Sequence, residues 1–233
     1  MVELERGVGP SHHRSVVGRH DERHPGAREF HHRVHHVAGG GAVQLGRRLV
    51  GRSGSGKTTL LNVIAGWEQA DAGTTERPEG RAGARSGIPG WDELAVVPQK
   101  LGLFDELTVR ENLEYPARLR GRLEELRGRV DELMEDLGIA HLAARYPKET
   151  SLGEQQRTTV ARALVLAPTL VLADEPTGHQ DAVSERRVLE AFGRAAADGA
   201  SCLIATHNVA LAPRLDRVLE MADGRLAGPS STP

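Results

Sequence analysis

The stretch Gly51 to Thr59, GRSGSGKTT, constrains this chain more than any other segment, because it fits G-x-x-x-x-G-K-[ST] with glycines where backbone must approach phosphate. Gly51, Gly54 and Gly56 permit a tight turn whose amide N–H groups point inward, and the following helix adds the positive end of its dipole. Such a loop selects anionic phosphate. Lys57 would reach the β- and γ-phosphates as a mobile charge, and the Thr58 hydroxyl would take one coordination position on Mg²⁺. The bland alternative is a glycine-rich turn that matches by chance. The amphipathic run LLNVIAG directly after the loop argues against it. A nucleoside triphosphate is the expected ligand, although the loop alone specifies neither which triphosphate nor what its hydrolysis drives.

At 233 residues the chain suits one large α/β domain, or a domain with an inserted subdomain. A formal net charge of −2 provides no whole-molecule field to draw nucleic acid, so no nucleic-acid partner is expected. The single cysteine, Cys202, excludes an internal disulfide framework and fits a reducing cytoplasm. No apolar run is long enough to cross a bilayer, and the N-terminus lacks the apolar core of a secretory signal. Action at a membrane would need separate spanning subunits.

Residues 1–48 read differently from the rest. Eight of the eleven histidines lie there, and neither a period of 2 nor one of 3.6 is sustained. A P-loop needs a strand feeding it, yet in GAVQLGRRLV the charged Arg47 and Arg48 occupy what should be a buried central strand, and only Leu49 and Val50 suit one. His31, His32, His35 and His36 have i,i+4 spacing and could hold a metal on a helix, but no carboxylate or cysteine constellation accompanies them. The other readings are an extension without regular order, or a stretch translated from the wrong frame of GC-rich DNA. The second is favoured by 27 arginines beside three lysines. Alternative frames that encode no alternating apolar strands would refute it.

Downstream, Lys57 to Ala65 reads as a helix buried through Leu60, Leu61, Val63 and Ile64 and ended by Gly66. Trp67 to Trp91 is loop, with a short edge strand near Gly73 to Glu76. Leu94 to Val97 is a strand. Thr108 and Glu111 form a capping box for a helix over VRENLEYPARL, and Leu123 to Leu137 gives a second helix before Gly138. SLGEQQR, from Ser151 to Arg157, opens a third that runs to Ala167, so a helical subdomain covers about 104–167. Leu170 to Ala173 is an uninterrupted apolar strand ending in Asp174 and Glu175, as in a sheet buried on both faces. Ala182 to Ala197 is helical, Ser201 to Thr206 is a strand, and Asp223-Gly224 turns a final hairpin.

Three strand ends, those carrying the P-loop, Asp174 with Glu175, and His207, therefore converge on one edge, with Gln99 arriving from a fourth. Asp174 would hold Mg²⁺ through a water, Glu175 would polarise the attacking water, and Gln99 and His207 would orient that water and the γ-phosphate. The plainer alternatives are a helix-capping carboxylate at Asp174 and an ordinary loop residue at His207.

With these residues in view, the chain from about 49 to 228 resembles the ATP-binding cassette (ABC) ATPase family. The resemblance is carried by GRSGSGKTT, Gln99 in VVPQ, SLGEQQRTTVARAL, LVLADEPTG, Asp181, and His207 in ATH. They look like the Walker A loop, Q-loop, signature, Walker B with catalytic glutamate, D-loop and H-loop. The resemblance implies an α/β fold, a P-loop NTPase (RecA-like) core with an inserted α-helical subdomain and a small antiparallel β part. It implies ATP and Mg²⁺ as ligands: ATP on Gly51, Ser53, Gly54, Ser55, Gly56, Lys57, Thr58 and Thr59, and metal near Thr58, Gln99 and Asp174. It also implies a head-to-tail dimer in which Ser151, Gly153 and Asp181 complete the site of a second ATP-binding subunit. A helix start at Ser151 with the Gly153 amide is a second anion site in its own right.

Three departures stand out. Thr150, Ser151, Leu152, Gly153 and Glu154 replace the usual LSGGQ; His179 and Gln180 alter the residues before Asp181; and Phe30 is the only aromatic residue upstream of the P-loop available to stack on adenine. The EPTG and EQQR tetrads are similar to those of bacterial lipoprotein-release and macrolide-export cassettes. The function so implied is the ATP-hydrolysing subunit of a transporter, peripheral on the cytoplasmic face of the plasma membrane and driving membrane-spanning permease subunits that choose the cargo. The rivals are a soluble ABC ATPase outside transport, and an inactive cassette with a defective N-terminus. Residues 229–233 read as a tail.

Overall fold

The computed structural model of the protein describes residues 47–72, 90–178, 180–207 and 217–227. The histidines at 31–36, Phe30, the edge strand expected at 73–76, His179 and the tail lie outside these residues.

Strands β1 (Arg47–Val50), β2 (Leu94–Val97), β3 (Leu170–Asp174), β4 (Ser201–Thr206), β5 (Arg217–Ala222) and β6 (Arg225–Ala227) form one sheet in the order β2-β3-β4-β1-β5-β6. All pairs are parallel except β5 with β6, which are joined by the two-residue turn Asp223-Gly224 with both φ angles positive, at 48° and 74°. Alternation along each strand supplies both faces of the sheet. Val171 and Ala173 of β3 join the larger core with Val160, Leu164, Val188 and Phe192, contributed by helices α4 (Leu152–Leu164) and α5 (Ala182–Ala197). Leu172 turns the other way, to Leu49, Leu203, Met221 and the Leu61 and Ile64 side chains of α1 (Lys57–Ala65).

Between β2 and α4 lies a helical insertion made of α2 (Val109–Leu119) and α3 (Leu123–Asp136). Its start is set locally. The Thr108 hydroxyl accepts from the Glu111 N–H at 3.2 Å, while Glu111 accepts from the Thr108 N–H at 2.9 Å. Asn112, fully buried, then ties the preceding loop by donating to the Phe104, Leu107 and Thr108 carbonyls.

Three expectations shift. β1 includes Arg47 and Arg48 and is flanked by β4 and β5, so the backbone ladder on both sides carries the strand through residues whose charge argued against it. The Arg48 side chain is only 2% exposed, and burial lowers its pKa. In α1 the buried positions are Lys57, Leu61, Ile64 and Ala65, with Leu60 and Val63 half-buried. Helix α4 ends at Leu164 rather than Ala167: Val165 and Leu166 turn into the core, and Ala167 adopts φ 49° ahead of Pro168.

Parallel pairing puts the C-terminal ends of β1 to β4 at one edge. Val50 is level with Thr206, Asp174 with Ala205, and Val97 with Ala173. Whatever follows these residues meets in one place.

Candidate active site

The P-loop leaves β1 under tight constraint. A Cβ on Gly51 would lie 2.2 Å from the Met221 carbonyl oxygen of β5, so only glycine lets the loop pass the sheet there. The hairpin turn braces the loop from below, the Gly224 N–H donating to the Ser55 carbonyl at 3.0 Å. Gly56, with φ 98°, is the N-cap of α1; the helix start has no side-chain cap and no acidic residue in its first turn. Its leading N–H groups are thus not taken by a carboxylate or hydroxyl of the cap. Lys57, only 7% exposed, curls back so that Nζ donates to the Gly51 and Arg52 carbonyls at 2.7 and 3.1 Å. Those contacts hold the ammonium beside the loop's concave side.

Beyond β3 the chemistry is denser. The Thr58 hydroxyl donates to Asp174 Oδ2 at 2.6 Å across 116 residues of sequence. Glu175 departs from strand geometry at φ 50°, a left-handed conformation that costs a non-glycine residue energy. Its backbone is held on three sides: its N–H donates to Ala205, and its carbonyl accepts from the Gly178 N–H and from Gln156 Nε2 at 3.5 Å. Its carboxylate is held as well. Oε1 accepts from the His207 N–H at 2.9 Å and lies 2.8 Å from His207 Nδ1, while Oε2 accepts from the Thr206 hydroxyl at 3.1 Å.

These groups line one cavity of about 860 Å³. It brings together Ser53, Gly54, Gly56, Lys57, Thr58, Thr59, Gln99, Asp174, Glu175 and His207, as the sequence anticipated. Gly51 and Ser55 stand behind the loop and shape it. A smaller cavity of about 170 Å³ between Trp67, Trp91 and Arg162 is apart from these groups.

Ser151, Gly153 and Asp181 do not line the large cavity. Ser151 caps α4, with Glu154 Oε2 accepting from its N–H at 2.7 Å and from its hydroxyl at 2.8 Å. The Ser151 N–H, foremost, holds the Glu154 carboxyl below its ordinary range. Asp181 caps α5 and accepts from the Val183 and Ser184 N–H groups. Backbone donation from Ser184 leads the lowering of its pKa.

Residues that the sequence reading did not single out also line the cavity: Gln156, Thr177, Gly178, Glu185 and Thr206. Thr206 was legible as the last residue of β4, one before His207, but its hydrogen-bond partner Glu175, just past β3, is brought beside it only by the pairing of β3 with β4. Gln156 reaches the site from α4, and no local pattern announces that contact.

Comparison with known proteins gives a consistent family. Residues 46–178 match the family described as ABC transporter. The lipoprotein-releasing system ATP-binding protein LolD of Maricaulis maris is 42% identical over 186 residues, covering 76% of this chain and 80% of that protein. The ABC transporter ATP-binding protein YtrE of Bacillus subtilis is 36% identical over 187 residues, again covering 80% of the relative. The macrolide export ATP-binding/permease protein MacB 1/2 of Paracoccus denitrificans is 38% identical over 193 residues, but this chain spans only 28% of its length. Among solved structures, the dimeric post-hydrolysis ATP-binding cassette MJ0796 bound to ADP and Pi superposes with a TM-score of 0.76 over 93% of this chain and 96% of that one, at 24% identity. That likeness bears on the fold.

Proposed function

Since the chain belongs to the ABC transporter family, with relatives of the lipoprotein-release and macrolide-export type, we propose that it is the ATP-hydrolysing subunit of a transporter whose membrane-spanning permease is supplied by other subunits. The observation that carries this reading is the 2.6 Å hydrogen bond from Thr58 to Asp174, which joins the phosphate loop to the acidic end of β3 in the same cavity as Glu175 and His207. A helix start, a lysine, two oxygen donors and a held carboxylate are the parts phosphoryl transfer to water requires.

ATP phosphates occupy the open start of α1, with Lys57 exchanging its loop carbonyls for β- and γ-phosphate oxygens. Thr58 and Asp174 fit Mg²⁺ by chemistry, both being hard oxygen donors already in contact, with Gln99 on the same wall. When bound, the ion neutralises charge on the phosphates. The water oxygen bonds to the γ-phosphorus as its proton passes to Glu175, and the bond to the β–γ bridging oxygen breaks with its electron pair leaving on ADP. His207 and Gln99 orient the γ-phosphate and that water.

Ser151, Gly153 and Asp181 are not among the residues that line this cavity, so a second ATP-binding subunit, packed head to tail, supplies its own copies of them to the γ-phosphate. Among the described residues no helix is long and apolar enough to cross a membrane. Its likeness to the lipoprotein-release and macrolide-export relatives supports a place for the subunit peripheral on the inner face of the plasma membrane, beside permease partners that select the cargo.

The test compares Mg²⁺-dependent ATP hydrolysis by the wild-type chain and by Glu175→Gln, with gel filtration in ATP. Wild-type turnover, a loss of about 10²- to 10⁴-fold in the variant and an ATP-held dimer of that variant are expected. A folded wild-type chain that neither binds nor hydrolyses ATP would end this reading.

A further inference from the structure

An ionised carboxylate accepts hydrogen bonds at about four lone-pair positions, two on each oxygen. In Glu175 three are used: Oε1 takes both the backbone N–H and Nδ1 of His207, and Oε2 takes the hydroxyl of Thr206. Oε1 is filled. The remaining acceptor position belongs to Oε2, the oxygen that takes the Thr206 hydroxyl, and Glu175 is one of the residues that line the cavity. Rotation of the carboxylate about its last torsion is soft and two-fold and swings both oxygens together, so restraint at Oε1 alone leaves the group some freedom to pivot about that oxygen. A second donor on the other oxygen removes that freedom.

We infer that Thr206 is a positioning residue that fixes the plane of the Glu175 carboxylate and thereby aims Oε2 as the oxygen that receives the attacking water. Its own placement is rigid. Thr206 is 1% exposed, ends β4, and pairs with Val50 at the end of the strand that feeds the P-loop. Ala205, the residue before it, accepts the Glu175 N–H and so holds the backbone of the same glutamate. The end of β4 therefore grips Glu175 through three successive residues, Ala205, Thr206 and His207, one on the backbone and two on the carboxylate. The His207 side chain is largely exposed at the cavity and can serve the γ-phosphate as well; Thr206 is almost wholly buried beside the carboxylate. Its contribution is to turnover and not to nucleotide affinity.

This inference rests on the reading of Glu175 as the group that activates water. The experiment measures kcat and KM for Mg²⁺-ATP, binding of a fluorescent ATP analogue and thermal melting for the full chain as wild type, Thr206→Val and Thr206→Ser. Valine keeps the β-branched shape and removes the hydroxyl; serine keeps the hydroxyl and removes the methyl. Thr206→Val is expected to lower kcat roughly 10- to 100-fold, the range a small misplacement of a catalytic group produces, with analogue affinity and melting within about twofold and a few degrees of wild type. Thr206→Ser is expected to recover most of the rate. If valine reduces soluble yield, Thr206→Ala tests the same loss of hydroxyl. Wild-type kcat in the hydroxyl-free variant, an equal loss of affinity, or no recovery with serine would each overturn the inference while wild-type turnover keeps the functional reading intact. A folded wild type without turnover would instead overturn the functional reading and this inference together.

Discussion

Two helices of this chain begin where phosphate is proposed to bind, and they begin in opposite ways. α1 starts at Gly56 with no side-chain cap and no acidic residue in its first turn. α4 starts at Ser151 inside a complete capping box: the Glu154 carboxylate holds the Ser151 N–H and hydroxyl, and the Ser151 hydroxyl takes the Glu154 N–H. A side-chain cap stabilises a helix by about 1 kcal/mol, and it does so by taking the same N–H groups a bound anion would use. The open start sacrifices local stability to keep a binding site. The closed start is stable alone, and it must exchange its own carboxylate for the γ-phosphate of a neighbour.

The largest effect expected on this contrast comes from Gly51→Ala. The new Cβ meets the Met221 carbonyl at 2.2 Å, a backbone atom of β5 where that strand pairs with β6, so the loop itself must move. Overpacking of this kind costs about 1–3 kcal/mol, a fall in Tm of roughly 2–4 °C per kcal/mol for a domain of this size. Binding of a fluorescent ATP analogue should drop more than about tenfold, since the α1 start can no longer present its donors. Melting and affinity both at wild-type values would show that the loop tolerates displacement, and the open start would lose its explanation.

A smaller and more discriminating effect is expected of Glu154→Gln. The amide can still accept from the Ser151 N–H, so the cap geometry survives, but the negative charge leaves the α4 start. In a Glu175→Gln background, which holds ATP, the dimer should form at several-fold lower protein concentration by sedimentation. Weaker dimerisation would mean that the closed cap assists the second subunit instead of competing with its phosphate.

The same contrast explains what could be read from the chain in advance. The P-loop, the Thr108–Glu111 capping box, the β3 run into Asp174 and Glu175 and the Asp223-Gly224 turn were legible because each depends on residues within a few positions of one another. Arg47 and Arg48 misled for the complementary reason. Their charge argues against a central strand locally, yet pairing with β4 and β5 on both sides outweighs it. The end of α4 was misplaced by three residues because core burial of Val165 and Leu166, not Pro168, decides where the helix stops. Thr206 and Gln156 escaped notice in the candidate site since their bearing on Glu175 exists only once β4 and α4 are laid against β3.

The smallest effect separates the two kinds of helix start through pH. Glu154, and likewise Glu111 at the start of α2, are held below their ordinary range chiefly by the backbone N–H of their own cap residues. A carboxyl whose pKa is lower folded than unfolded binds its proton more readily in the unfolded chain, so its stabilisation is present above the ordinary Glu value of 4.5 and is lost as pH falls through the depressed folded value. Both groups are near solvent, so screening limits each to a few tenths of a kcal/mol. α1 has no acidic residue in its first turn and contributes nothing of this kind. The melting temperature of the wild type should therefore fall more steeply between pH 6 and pH 3.5, roughly the span over which such carboxyls titrate, than that of the Glu111→Gln, Glu154→Gln double variant. The other surface carboxylates titrate in both proteins and cancel in the difference. Equal slopes would mean that the caps hold their helices by geometry alone, and that the charge at the α4 start is no obstacle to a partner's phosphate.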